Sequence, residues 1–105
     1  MGKSPTLFGR RLKEARMKAG LSQKGLGLEI GLDASVASAR MNQYEVGSHH
    51  PKFQTAVKIA EVLNVPTGYF FTEDDLLASM IEPWQKLSTA NKRKLLRQMQ
   101  EMLPE

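Results

Sequence analysis

Leu21-Ser22-Gln23-Lys24-Gly25-Leu26-Gly27, followed by Asn42-Gln43-Tyr44-Glu45-Val46-Gly47, decides how this chain folds. Ser22 is a good N-cap, and the pattern predicts a short helix over about 23–30, ended by Gly31, with Leu26 and Ile30 on its inner face. Gly25 and Gly27 each cost on the order of 1 kcal/mol relative to alanine inside a helix, so tertiary packing must hold it. Gly27 suits a point where two backbones approach closely. The second stretch closes another helix, which Asp33 or Ser35 can cap and which runs to about Val46, with Gly47 in the left-handed position beyond it. Ala37, Met41 and Tyr44 share one side of that helix; Ser35, Ser38, Ala39, Asn42 and Gln43 share the other. Two short helices held at an angle result, the second turning polar side chains outward.

Working outward, Ser4 can cap a first helix over roughly 5–19 with Pro5 at its opening position. Leu7, Phe8, Leu12, Ala15 and Ala19 recur at helical spacing until Gly20 stops it. Pro51 opens a fourth helix whose Phe53, Ala56, Ile59, Ala60 and Leu63 form an apolar stripe, with Asn64 as its stop. Thr67 begins a short fifth segment in which Tyr69, Phe70 and Phe71 close the core. No stretch alternates like a strand, so the expected fold class is all-α. From Thr72 the composition shifts. Thr72 with Asp75 has the form of a capping box, and Leu76, Leu77, Met80, Ile81, Trp84 and Leu87 trace an apolar face that Pro83 should kink. Ser88 caps a last helix over 89–103, with Leu95, Leu96, Met99, Met102 and Leu103 on one face and Lys92, Arg93, Lys94 and Arg97 on the other. The expected division is a domain over 5–71 and an amphipathic helical extension over 72–105. Such an extension needs a partner surface, either the first domain or the same helices of a second chain. In the second case Leu77, Met80, Ile81, Trp84, Leu95, Leu96 and Met99 are the dimerisation residues.

At 105 residues the chain holds one small domain and an appendage, with no room for a small-molecule ligand domain. Its net charge of +4 is unevenly spread. Residues 1–71 carry ten basic and five acidic groups, and residues 72–105 carry five and six. The front two-thirds suits a polyanion, although a solubilising surface would have the same charge. With no cysteine there is no disulfide framework, thiolate nucleophile or cysteine metal site, and a cytoplasmic protein fits. No apolar run is long enough to span a membrane, and no secretory h-region is present. Met1-Gly2-Lys3-Ser4-Pro5-Thr6 satisfies the loose N-myristoylation pattern, but a basic arm accounts for it equally well. Adjacent His49 and His50 lack a third ligand at a sensible spacing, so neither metal nor cofactor is expected.

Several features now stand in one order: Arg16, Gly20-Leu21-Ser22-Gln23, Leu26, Gly31, Tyr44-Glu45 with Gly47, Pro51, and the apolar fourth helix ending Leu63-Asn64-Val65. On these, residues 7–71 resemble the Xre-type helix-turn-helix family, the group of lambda-like repressors and Cro proteins. The resemblance implies a five-helix bundle, lambda-repressor-like, in which helices two and three form the DNA-reading unit. It places Gln23 against a phosphate at the start of helix two, with Lys24 beside it; the alternative is that Gln23 completes the cap with Ser22. It assigns base reading to Ser38, Ala39, Asn42 and Gln43, the last two being suited to bidentate adenine contacts. An exposed Asn and Gln can also be simply solvated. Ser48, His49, His50 and Lys52 lie in the loop where the family holds the phosphate backbone, Ser35 is counted as a further phosphate contact, and protonation of the histidines would tighten binding as pH falls towards 6. Arg16 and Glu45 occupy the positions of a structural salt bridge.

The sequence departs from the family in one place. The interval from Gly31 to Glu45 is about four residues longer than usual, the extra residues lying within Asp33-Ala34-Ser35-Val36. Either helix three begins a turn early or the turn itself is longer. Arg40 is placed with the base-reading residues, on guanine, with a phosphate or a nearby carboxylate as the alternatives.

The expected function is sequence-specific DNA binding by a transcriptional regulator of bacterial or phage type. It would act as a repressor, binding a pseudo-palindromic operator as a homodimer in the cytoplasm, in association with the nucleoid. The alternative is a protein-interaction module of the same fold, an antitoxin or anti-repressor partner. An enzyme ranks last, since no paired His and carboxylate and no glycine-rich phosphate loop of the required spacing is present.

Overall fold

The computed structural model describes residues 6–105. Ser4, Pro5 and the acylation pattern at Gly2 lie outside them. Helix α1, Leu7–Lys18, is capped by Thr6, whose Oγ1 accepts from the Gly9 N–H at 3.0 Å, so the helix starts two residues later than the sequence pattern implies. Helix α2, Gln23–Glu29, is capped by Ser22 as expected, with the Gly25 N–H donating to Ser22 Oγ at 2.8 Å.

The lengthened interval resolves as a longer turn. Helix α3 is Ala37–Val46 and has Val36 at its N-cap with no side-chain cap. Neither Asp33 nor Ser35 caps it. Asp33 instead folds the turn onto itself, its carboxylate accepting from the Ser35 hydroxyl and from the Ser35 N–H at 2.9 Å. The Asp33 carbonyl accepts from Val36 and Ala37 N–H at 3.0 and 2.9 Å. The hydroxyl hydrogen bond first, and the backbone one second, hold the Asp33 carboxyl below its ordinary value.

Helix α4, Phe53–Leu63, ends at Asn64, whose φ of 56° is left-handed. Pro51 lies outside it, because Lys52 is the N-cap. Phe53 does not join the apolar stripe: at the first helical position it stays 67% exposed, and Ala56 begins the buried series. A 3-10 turn, Thr67–Phe71, brings Phe70 under Phe8 with ring centroids 5.0 Å apart. Tyr69 and Phe70 close the core, whereas Phe71 remains at its rim, exposed although its ring touches Phe8. Leu12, Leu26, Met41, Ile59 and Phe70 are the fully buried centre, each stabilising the fold by about 1.5–3 kcal/mol.

Helix α5, Asp75–Ile81, is capped by Asp74, whose Oδ1 accepts from Leu76 and Leu77 N–H. The Thr72–Asp75 capping box does not form, because Thr72 Oγ1 donates to the Gly68 carbonyl at 2.7 Å. Ala78 is buried and Ile81 packs against the core. Buried Arg11 fixes the start of this segment. Its guanidinium donates to the Thr72 carbonyl at 2.8 and 3.2 Å, to the Glu73 carbonyl at 3.3 Å and to Asp75 Oδ1 at 2.9 Å. Lys18 and Glu82 add an ion pair at 3.1 Å. Beyond Pro83 a 3-10 turn, Trp84–Lys86, leads to helix α6, Thr89–Met102, capped by Ser88. Helix α5 therefore folds back on the bundle, while α6 buries no residue.

Candidate nucleic-acid interface

Two close backbone contacts position α3. A Cβ at Gly27 would lie 2.7 Å from the Ala37 Cβ, and one at Gly9 would lie 2.2 Å from the Glu45 carbonyl oxygen. Only glycine permits these crossings, so α1 and α2 both press directly on the backbone of α3. Arg16 then locks its far end. Arg16 Nε donates to Glu45 Oε2 at 2.6 Å and Nη2 to Oε1 at 3.1 Å, while Nη1 reaches the Leu21 carbonyl at 2.8 Å. Glu45 is buried, and two parallel bonds with a third to the backbone fix the pair in both distance and angle.

Fixed in this way, α3 turns Ala37, Met41, Tyr44 and Glu45 inward. Tyr44 is core packing. Ser38, Ala39, Arg40 and Asn42 are exposed, and Gln43 is half-buried. Gln23, at the start of α2, completes no cap with Ser22. Its Nε2 donates to Asn42 Oδ1 at 3.1 Å and to Glu45 Oε1 at 3.2 Å, linking the two helices. Lys24 is exposed beside it. The Ser35 hydroxyl is engaged by Asp33.

A groove of about 430 Å³ between α3 and α4 collects Arg40, His49, His50 and Lys52, and adds Thr55 and Lys58. No carboxylate lines it, and Arg40 pairs with none among the described residues. The residues expected to meet phosphate on this side thus share one cationic channel. Sequence reasoning missed Lys58 and Thr55, although both stand on the polar side of α4, within two turns of Lys52. On the opposite flank of α3, a cleft of about 480 Å³ is lined by Arg10, Lys13, Arg16, Gln23, Asn42 and Glu45, among others. Arg10 and Lys13 escaped sequence reasoning too; their spacing of three on the outer face of α1 is the available signal.

In the extension, Leu77, Met80, Leu95, Leu96 and Met99 are all exposed, and Trp84 is partly so. Ile81 is the exception, since it is used within the chain. Lys92 Nζ lies 5.1 Å from the centroid of the Trp84 ring, an attraction that steadies the start of α6. No group of residues suited to a metal occurs among the described residues, and no helix there is long and apolar enough to cross a membrane.

Comparison with known proteins agrees with this geometry. A helix-turn-helix family model matches residues 12–70. The HTH-type transcriptional regulator ImmR of Bacillus subtilis (strain 168) is 34% identical over 69 residues, covering 66% of this chain and 51% of that one. The chain therefore spans about half the length of the curated relative it matches. The crystal structure of transcriptional regulator BswR superposes with a TM-score of 0.85 at 44% identity, covering 90% of this chain and 94% of that one. With an all-helical bundle, an outward-facing third helix and a match over most of that bundle, the chain belongs to the Xre-type, lambda-repressor-like helix-turn-helix family.

Proposed function

We propose that this protein is a DNA-binding transcriptional regulator, a repressor that recognises a pseudo-palindromic operator as a homodimer in the cytoplasm. The observation that carries this reading is the exposed polar face of α3 beside a groove lined by five basic side chains and no carboxylate. A polar helix face suits base edges in the major groove, and a flanking cationic channel suits the phosphate backbone. In this reading Ser38, Ala39, Asn42 and Gln43 meet bases. Arg40 joins His49, His50, Lys52 and Lys58 on phosphate, with Gln23 and Lys24 holding the backbone on the other side.

The homodimer rests on the extension. Helix α6 has 14 residues and buries none of them, and an isolated helix of that length is marginal in water. Its apolar residues, together with Leu77 and Met80 on α5, would be covered by the same helices of a second copy. One monomer reads only a few base pairs, so a dimer on two half-sites about one helical turn apart supplies the missing contacts. Binding to a genomic fragment library at several salt concentrations tests the reading. Discrete protected sites with steep salt dependence are expected; sequence-blind binding with a shallow slope would overturn it.

A further inference from the structure

Helices α5 and α6 carry the same pattern with opposite charge. Glu73-Asp74-Asp75-Leu76-Leu77-Ala78-Ser79-Met80 and Lys92-Arg93-Lys94-Leu95-Leu96-Arg97-Gln98-Met99 align without a gap, residue 73 with 92 and residue 80 with 99. In each stretch three like charges precede two leucines and a methionine. The acids suit α5, since Asp74 caps it and negative charge is favoured at a helix start. The bases do not suit α6. They stand in its first half, its last turn carries none, and Arg93 and Arg97, four residues apart, repel each other. No carboxylate pairs with Lys92, Arg93, Lys94 or Arg97 among the described residues, and Lys92 is held over Trp84.

Helix α5 is also apolar on two opposite sides. Ala78 faces the bundle, while Leu76 and Met80, one turn apart on the outer side, are 72% and 58% exposed. A helix apolar on both sides is stable when both are covered. The segment with the matching pattern is α6, whose Leu95, Leu96 and Met99 are themselves uncovered. The chain's own α6 is the wrong occupant. Residues 82–88 join the two helices, and helices joined by so short a connection pack antiparallel, which would set the acids at 73–75 against Glu101. The register that brings acid to base and leucine to leucine needs parallel helices, and therefore a second chain. Resting on the homodimer of the proposed function, we propose that the two copies exchange their last helices. Helix α6 of each lies parallel on the outer face of the partner's α5, with Arg93 and Lys94 beside the acids that open it. Two-fold symmetry makes the exchange reciprocal, so each copy gives one helix and receives one.

The chain has no cysteine, so introduced cysteines report the contact. Full-length Leu76→Cys and Leu95→Cys chains, each altered at an exposed position, are mixed in a glutathione redox buffer. Neither can close a disulfide within itself. The expected product joins one chain of each kind, identified by mass. Cross-links between like chains only, or none while the wild type sediments as a dimer, would overturn the exchange and leave the homodimer standing. A wild type that sediments as a monomer would overturn both. Charge reversal gives a second readout. Glu73 is exposed and has no ion-pair partner among the described residues, so Glu73→Lys should leave the melting of the single chain unchanged. It should weaken self-association about tenfold, since two sites each trade attraction for repulsion. A Glu73→Lys dimer as tight as the wild type would refute the exchange, because pairing of α6 with α6 alone does not involve residue 73.

Discussion

Gly9 and the carbonyl of Glu45 meet so closely that a methyl group at residue 9 would sit 2.2 Å from the oxygen. Both neighbours at that crossing are backbone, so the strain cannot be relieved by rotating a side chain. Gly9→Ala should destabilise the protein by about 1–3 kcal/mol, even though alanine is the better helix former. Gly68→Ala is the matched comparison, since nothing lies within 4 Å of the added carbon. That change should be neutral or stabilise by up to about 1 kcal/mol through the unfolded chain. Urea midpoints of the two variants give the answer, and similar values for both would refute the tight crossing.

Glu45 carries more than its own packing, because Arg16 and Gln23 both donate to it. Glu45→Ala strands the Arg16 guanidinium in a largely buried place. The expected loss is about 3–5 kcal/mol of stability, read by chemical denaturation. A loss under about 1 kcal/mol would show that water reaches the pair freely and that it does not fix α3.

The helices of the bundle are legible in the sequence because local signals and burial agree in them. Ser22, Gly31, Gly47, Asn64 and Ser88 all act at the ends that the sequence assigns to them. The failures share a cause. Asp33, Ser35 and Thr72 have the residue types of caps, but each has a closer competing partner that only the folded chain supplies. Phe53 and Phe71 fit an apolar period yet stand where the chain has not yet reached, or has already left, the core. Arg11 shows the larger limit. A buried arginine that ties residue 11 to residues 72, 73 and 75 leaves no trace in periodicity, so the docking of α5 could not be foreseen. At the interface, residue types tell which side chains suit DNA. They give no hint that Gln23 faces Asn42 and Glu45 instead of Ser22.

Arg40 and Lys52 line the same groove, and both are placed on phosphate in the proposed complex. Arg40→Ala and Lys52→Ala should each lower the slope of log affinity against log salt by about 1. The weakening should be nearly equal on operator and non-operator DNA, which fluorescence anisotropy on both duplexes measures. If Arg40→Ala instead erases the difference between the two duplexes, Arg40 reads a base.

Tyr69 links acid–base behaviour to stability. Burial first, and the negative charge of Glu14 second, raise its phenol above the ordinary value near 10. The folded chain therefore holds the phenolic proton more tightly than the unfolded chain. The resulting stability is complete below about pH 10 and disappears as pH rises through the folded value. Melting temperatures between about pH 8 and 11.5 should fall for the wild type, and Tyr69→Phe should remove part of that fall. Parallel curves for the two proteins would assign the alkaline loss to other groups.

Helix α6 offers the cleanest separation of folding from assembly, because it contributes nothing to the core. Leu96 and Met99 lie about one turn apart on it and are 53% and 54% exposed. Changing both to aspartate disturbs no buried packing of the single chain, so the bundle should melt with almost unchanged temperature. In a dimer covered by these side chains, the same change buries two unpaired charges, at a cost far above that of the missing apolar packing. Sedimentation should then show a monomer where the wild type is a dimer. Affinity for a full operator should fall by about a hundredfold or more, while affinity for a single half-site stays the same. A wild type that sediments as a monomer, or a doubly substituted protein that still dimerises, would place the partner of this helix elsewhere.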